Sequence, residues 1–153
     1  MARYSTSVRT ARSVDDAFDY MADLRNFEQW DPGVRKVTQF KGIGAGADSE
    51  FDVTVASVGR DLKLRYRTTE FVPPSSILAV ARTALLTSTD RITVVADGGG
   101  SIVTYDADLR LRGLWKVFEP LLRMSFKKIG DRAAAGLRTA LDGTPVLPRT
   151  VLP

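Results

Sequence analysis

The longest regular pattern in the chain is apolar and helical. Between residues 113 and 143, Trp115, Phe118, Leu122, Phe126, Ile129, Ala133, Leu137 and Ala140 fall on one side of a 100° wheel. Lys116, Arg123, Lys127, Asp131 and Arg138 fall on the other. The spacing predicts one long helix over 113–142 with a buried face. Gly143 is expected to take a left-handed turn and Pro145 cannot extend the hydrogen-bond ladder, so the helix stops sharply there. Pro120 has no N–H to give to residue 116, so the helix either kinks at that point or begins anew with Pro120 in its first turn. The two halves differ in composition. Up to Phe126 apolar groups wrap nearly all round, with Val117, Leu121 and Met124 off the stripe, whereas Ala133, Ala134, Ala135 and Gly136 make the second half small. Small residues let a helix pack closely on a partner, and bulky flexible ones suit a wall that adapts to its contents.

Ahead of this helix the period is two. Residues 3–10 alternate and are rich in Ser, Thr, Val and Tyr, which predicts a strand. The period then changes: Ser13 with Asp16 three residues on resembles a capping box, and Ala17, Phe18, Met21 and Leu24 follow at helical spacing. A second short helix over 23–30 ends at Trp30, Asp31, Pro32 and Gly33, because Pro32 pushes Asp31 away from helical angles. Segments 34–40, 49–57, 62–72, 77–83, 87–95 and 101–112 all alternate, separated by glycine- or proline-containing turns. Short turns cannot make parallel crossovers, so the strands form an antiparallel meander. The order predicts an α+β protein: a curved seven-stranded antiparallel sheet around a long C-terminal helix, with two short helices after strand 1. One domain over 1–142 is followed by a proline-containing tail, 143–153, expected to be extended or loosely attached.

Alternation also assigns faces. Phe51, Val53 and Val55 form one inward set, Leu62, Leu64 and Tyr66 the next, and Val103, Tyr105, Ala107, Leu109 and Leu111 the last. In 87–95, if Ile92 and Val94 point in, so do Asp90 and Ser88.

Composition removes several classes of chemistry. The chain has 153 residues and 44% hydrophobic content, enough for one core. It has no cysteine and no histidine, so disulfides, thiolate metal sites and the usual neutral-pH base are absent, and no metal site or cofactor is expected. Net charge is +4, but the arginines are interspersed with acids, which fits a solvated face rather than nucleic-acid binding. The N-terminus has no apolar leader pattern and the apolar runs are broken by charges, so a cytoplasmic location without integral membrane association is expected.

Several short stretches carry a family resemblance: residues 13–20 (SVDDAFDY), 23–32 (DLRNFEQWDP), the turn 44–51, 66–74 (YRTTEFVPP), 98–105 (GGGSIVTY) and 113–122 at the opening of the long helix. In these the chain resembles the START-like or Bet v 1-like (SRPBCC) superfamily of helix-grip folds, in its polyketide cyclase/dehydrase and lipid-transport branch. The resemblance covers residues 4–142 and implies a cavity between sheet and C-terminal helix that takes a small hydrophobic molecule such as a lipid, polyketide or aromatic compound. Binding without turnover is the expected role. A cyclase or dehydratase acting on a polyketide-like substrate is the alternative, and an interaction module using the outer face of the sheet is a third.

Inward alternation and the helical stripe nominate the ligand-binding residues: Phe51, Val53, Tyr66, Ile92, Tyr105, Phe118 and Leu122, with Trp30 and Trp115 at the entrance. For each indole, ordinary packing with its N–H given to a backbone carbonyl is the alternative. Gly42, Gly44 and Gly46 look superficially like a phosphate loop, but a strand rather than a helix follows them, so a strand connection is expected. Glu70 and Asp90 are the only strand carboxylates that could face inward, and the plainer expectation is that both reach water. If there is acid-base chemistry, Asp90 with Tyr105 is the candidate pair, since burial would raise the carboxyl pKa toward a useful value.

Overall fold

The computed structural model describes residues 1–57 and 59–146. Residues 147–153, most of the expected tail, lie outside that range. Strand β1 (Ala2–Thr10) leads into helix α1 (Val14–Ala22), a 3-10 turn at Leu24–Asn26 and helix α2 (Phe27–Trp30). Six strands follow: β2 (Val34–Lys41), β3 (Glu50–Val55), β4 (Leu62–Val72), β5 (Ser76–Arg82), β6 (Leu86–Asp97) and β7 (Gly100–Leu111). The chain closes with a 3-10 helix at Gly113–Phe118, helix α3 (Glu119–Ala140) and a short strand β8 (Thr144–Pro145). All eight strands form one antiparallel sheet in the order β2-β3-β4-β5-β6-β7-β1-β8. This is the curved sheet and long C-terminal helix of the helix-grip fold.

The signals that shape these elements act locally. Ser13 Oγ accepts the Asp16 N–H at 3.2 Å, which satisfies one of the orphan donors of α1, and Asp15 and Asp16 sit in its first turn. Asp31 leaves α2 with extended angles, as its position before Pro32 requires.

At three points the structure departs from the expected boundaries. The segment 113–142 is not one helix: Gly113–Phe118 winds as a 3-10 helix and α3 starts at Glu119 with Pro120 in its first turn, where a missing N–H costs nothing. The left-handed residue at the C-terminus is Asp142 (φ 48°), not Gly143. The Asp142 N–H bonds Thr139 O at 3.2 Å and the Gly143 N–H bonds Arg138 O at 2.8 Å, a Schellman closure. Gly143 is needed for space, because a side chain there would run into the Arg9 carbonyl and Val8 of β1. That close approach explains the eighth strand: Thr144 and Pro145 pair with Arg9 and Val8, and the Val146 N–H bonds Ser7 O at 3.0 Å.

Two zones divide the space under the sheet. At one end α1 packs on β6 and β7, and Phe18, Met21, Leu24, Phe27 and Trp30 close over Val8, Ile77, Ile92 and Val103. Here the second half of α3 also packs tightly, with Ala133, Ala134 and Leu137 buried. Gly136 lies against the Trp30 carbonyl and Gly130 against the Tyr4 ring, and a methyl group at either would overlap them. Toward the N-terminus of α3 the close packing ends: no residue of 113–129 is buried, and the helix is held there by polar contacts, Glu119 with the Met1 amine and Arg123 donating to the Met1 carbonyl at 3.2 Å. The outer face of the sheet carries ion pairs, among them Arg65 with Asp52 at 2.8 Å and Arg91 with Glu70 at 3.2 Å. Phe40 is covered there by the Arg65 guanidinium, 3.5 Å from its ring centroid. Phe40, Val72 and Val95 are the large hydrophobic strand residues left exposed among the described residues. Among the described residues no helix is long and apolar enough to cross a membrane.

Candidate functional site

Where α3 stands off the sheet, a cavity of about 530 Å³ remains. Val53, Leu64, Leu86 and Leu109 line it from the strands, Leu122 and Phe126 from the helix. The inner positions of the neighbouring strand segments are small, which leaves the space unfilled. Across the sheet, Tyr66 of β4 stands opposite Ala81 of β5, which stands opposite Ser88 of β6. With only a methyl group between them, the tyrosine lies across β5 and its hydroxyl meets Ser88 Oγ at 2.7 Å. One register step along, Ala79 faces Asp90 and Asp90 faces Ala107. Tyr105, opposite Ile92, is therefore diagonal to Asp90, and its hydroxyl donates to Asp90 Oδ2 at 3.0 Å. The Tyr105 ring is held from the packed zone by Trp30, whose centroid is 5.2 Å away at 77°, and by Phe27 at 6.4 Å and 88°.

Burial dominates the electrostatics of this polar floor. Asp90 is only 4% exposed, and loss of solvent pushes its pKa up to about 7. The Tyr105 hydrogen bond opposes that rise and the charge of Asp31 adds to it. Burial likewise raises the Tyr66 and Tyr105 hydroxyls well above the ordinary tyrosine value, and the Asp90 charge adds to both shifts. Asp31, half-buried at the end of α2, accepts the Gly33 N–H at 2.8 Å. Burial raises its pKa too, with that hydrogen bond pulling the other way. Asp90 thus does not reach water beside Arg91 as the plainer expectation had it. Even alternation turns Asp90 inward and Arg91 outward, where Arg91 pairs with the exposed Glu70.

Of the residues nominated from sequence, Val53, Tyr66, Tyr105 and Leu122 line the cavity, and Asp90 joins them. Phe51, Ile92 and Trp30 lie in the packed core, each 1% exposed or less, and are not among the lining residues. The Trp30 Nε1–H has no partner among the described residues, so the carbonyl bond that was the alternative for this indole is not formed. Trp115 and Phe118 are about half exposed on the 3-10 helix, their rings tilted against each other at 5.9 Å, and neither lines the cavity. Asp31 and Phe126 line the cavity without having been nominated. Phe126 stood on the helical stripe, so its signal was present. Asp31 stood in a turn, where alternation says nothing about direction. The cavity brings two carboxyl groups together, and no group of three His, Cys, Asp or Glu among the described residues is placed to hold a metal ion.

The family model for polyketide cyclase / dehydrase and lipid transport matches residues 1–142. No curated protein matches the chain. Among solved structures, a START superfamily protein from Mycobacterium smegmatis is similar over 93% of this chain and 98% of its own, with a TM-score of 0.75 and 14% identity. The Zhui aromatase/cyclase from Streptomyces sp. R1128 matches over 91% and 90%, with a TM-score of 0.71 and 13% identity. Ginseng major latex-like protein 151 from Panax ginseng matches over 92% and 97%, with a TM-score of 0.65 and 8% identity. At such identities the likeness to these structures is one of fold.

Proposed function

Since the chain belongs to the polyketide cyclase / dehydrase and lipid transport family, we propose that it binds a small hydrophobic ligand, a lipid, polyketide or aromatic compound, between the sheet and the first half of α3. The observation that carries this reading is the cavity itself. Its volume, about 530 Å³, lies within the roughly 300–1,000 Å³ usual for small-molecule sites. Its walls are aliphatic and aromatic, and a few polar groups converge on one floor, enough to orient a ligand without making the site wet. Carrying or sequestering such a molecule requires no cofactor. Native mass spectrometry of the purified protein tests the reading: a co-purified small molecule, lost when Leu109→Trp fills the cavity, is the expected result. A wild-type protein that neither retains nor takes up any apolar compound would remove the basis for it.

One observation favours a second, enzymatic reading. A carboxyl group with a pKa of about 7 inside an apolar cavity is poised to exchange protons near neutrality. As a carboxylate, Asp90 would take the proton next to a carbonyl in a folded polyketide-like chain. Tyr105 holds that carboxyl group in place, and the Tyr66 hydroxyl is the next donor along the floor. The aromatase/cyclase among the similar structures makes this chemistry worth assaying in the present chain. Turnover of a poly-β-ketone substrate that persists unchanged in Asp90→Asn would rule out Asp90 as the base.

A further inference from the structure

The protein is basic, with a net charge of +4, yet the polar groups of its cavity are acidic. Asp31 and Asp90 both line it, and the one cation among the lining residues, Arg132, is exposed. The hydroxyl groups are largely committed: Tyr105 donates to Asp90, Tyr66 and Ser88 share a hydrogen bond, and Tyr4 donates to Asp131 at 2.8 Å. What remains free is acceptor capacity. Asp90 receives Tyr105 on Oδ2, while Oδ1 has no protein partner among the described residues and is not sealed from the cavity. Asp31 uses Oδ1 for the Gly33 N–H and keeps Oδ2.

We propose that the cavity selects amphiphiles whose polar head donates hydrogen bonds, an amine above all, then an alcohol or phenol, and rejects those whose head is a carboxylate. The proposal rests on the reading of the cavity as a ligand site and adds the chemical class of the ligand. The physical reason is the low-dielectric setting. A buried carboxylate oxygen without a partner is costly, so a donor that reaches it is favoured. A second anion brought beside two carboxyl groups has only the exposed, water-screened Arg132 at the cavity wall to offset it, and it meets repulsion at the buried floor that water barely screens. The head is placed by the free Asp90 Oδ1 at the floor and by Asp31 nearer α2, while the apolar body lies along Leu109, Leu122 and Phe126. The groups facing Asp90 are Tyr105 from β7, Tyr66 from β4 and Asp31 from the end of α2, none of them a cation.

Decylamine, decanol and decanoate share one body and differ in the head, and calorimetric titration of each into the purified protein at pH 8 tests the selection. Decylamine is expected to bind at least about tenfold more tightly than decanoate, a gap of about 1.4 kcal/mol, with decanol between them. Asp90→Asn should weaken decylamine and strengthen decanoate, closing the gap, and Asp31→Asn should act in the same direction, which keeps the test available if one variant folds poorly. Between pH 6 and pH 8 the affinity for decylamine should rise about tenfold in the wild type as Asp90 ionises, and not in Asp90→Asn. Decanoate binding as tightly as decylamine, or a preference unchanged in both variants, overturns the selection while leaving the cavity as a binding site. Failure of all three probes to bind overturns the ligand-site reading and this inference with it.

Discussion

Two halves of one C-terminal helical segment face the same sheet and are held to it by opposite means. In residues 130–141, Gly130, Gly136 and the alanines bring the helix backbone onto Tyr4 and the Trp30 carbonyl, and Ala133, Ala134, Leu137 and Leu141 are buried. In residues 113–129 the side chains are larger and more apolar, yet none is buried, and Leu114, Val117, Leu121 and Met124 are among the most exposed hydrophobic residues. Hydrophobicity alone therefore does not decide burial. Side-chain size sets how near the helix can approach, and the near contact at the glycine end leaves the bulky end standing off over the cavity. One half stabilises the fold, and the other trades stability for space.

The largest expected effect breaks the comparison at its tight end. Gly136→Val forces a branched side chain into the Trp30 carbonyl, and backbone must move, so a loss of about 3 kcal/mol or more in urea unfolding is expected. An unchanged midpoint would show that the close approach does not hold the helix. Leucines at the two ends should sharpen the contrast next. Leu137→Ala empties a fully buried site and is expected to cost about 2–5 kcal/mol, whereas Leu122→Ala, already beside a void, should cost under about 1 kcal/mol and show itself in ligand affinity instead.

The cavity floor makes the third prediction, in pH dependence. Asp90 in the native protein holds its proton up to about pH 7, while in the unfolded chain it releases it near the ordinary carboxyl value. Over the window from about pH 4 to 7 the native state binds more protons, so the contribution of Asp90 to stability is present below that window and is lost as pH rises through it. The slope is up to about 1.4 kcal/mol per pH unit, set against the other carboxylates, and Asp90→Asn should remove it. Equal pH profiles for wild type and variant would place the Asp90 carboxyl in water. The smallest effect is expected on the exposed stripe: Leu121→Ser and Met124→Ser should change stability by less than about 0.5 kcal/mol. A larger loss would mean that this half is packed against something after all.

Much of this was legible in residue order. The change from period two to 3.6 at Ser13, the six alternating segments with short turns, and the alanine-rich second half of the long helix required only local chemistry, and each appears in the structure at or within a few residues of its expected place. Alternation also put Tyr66 and Tyr105 on the inner face, and tied Ser88 and Asp90 to Ile92 and Val94, so that once the structure buries those two the whole polar set shares one face. It did not say what lies above that face. Phe51 and Ile92 satisfied the same pattern as Val53 and Tyr105, yet they ended in the packed zone, since α1 and α2 cover one end of the sheet and the standing-off half of α3 the other. Asp31 came from a turn, where no period exists to aim a side chain. The raised pKa of Asp90 arises from burial under that cover, with the charge of Asp31 adding to it and the Tyr105 hydrogen bond opposing it. Local pattern determined which residues point inward. Only the packing of helices on the sheet decided whether inward meant core or cavity, because that depends on backbone separations set by residues far apart in the chain.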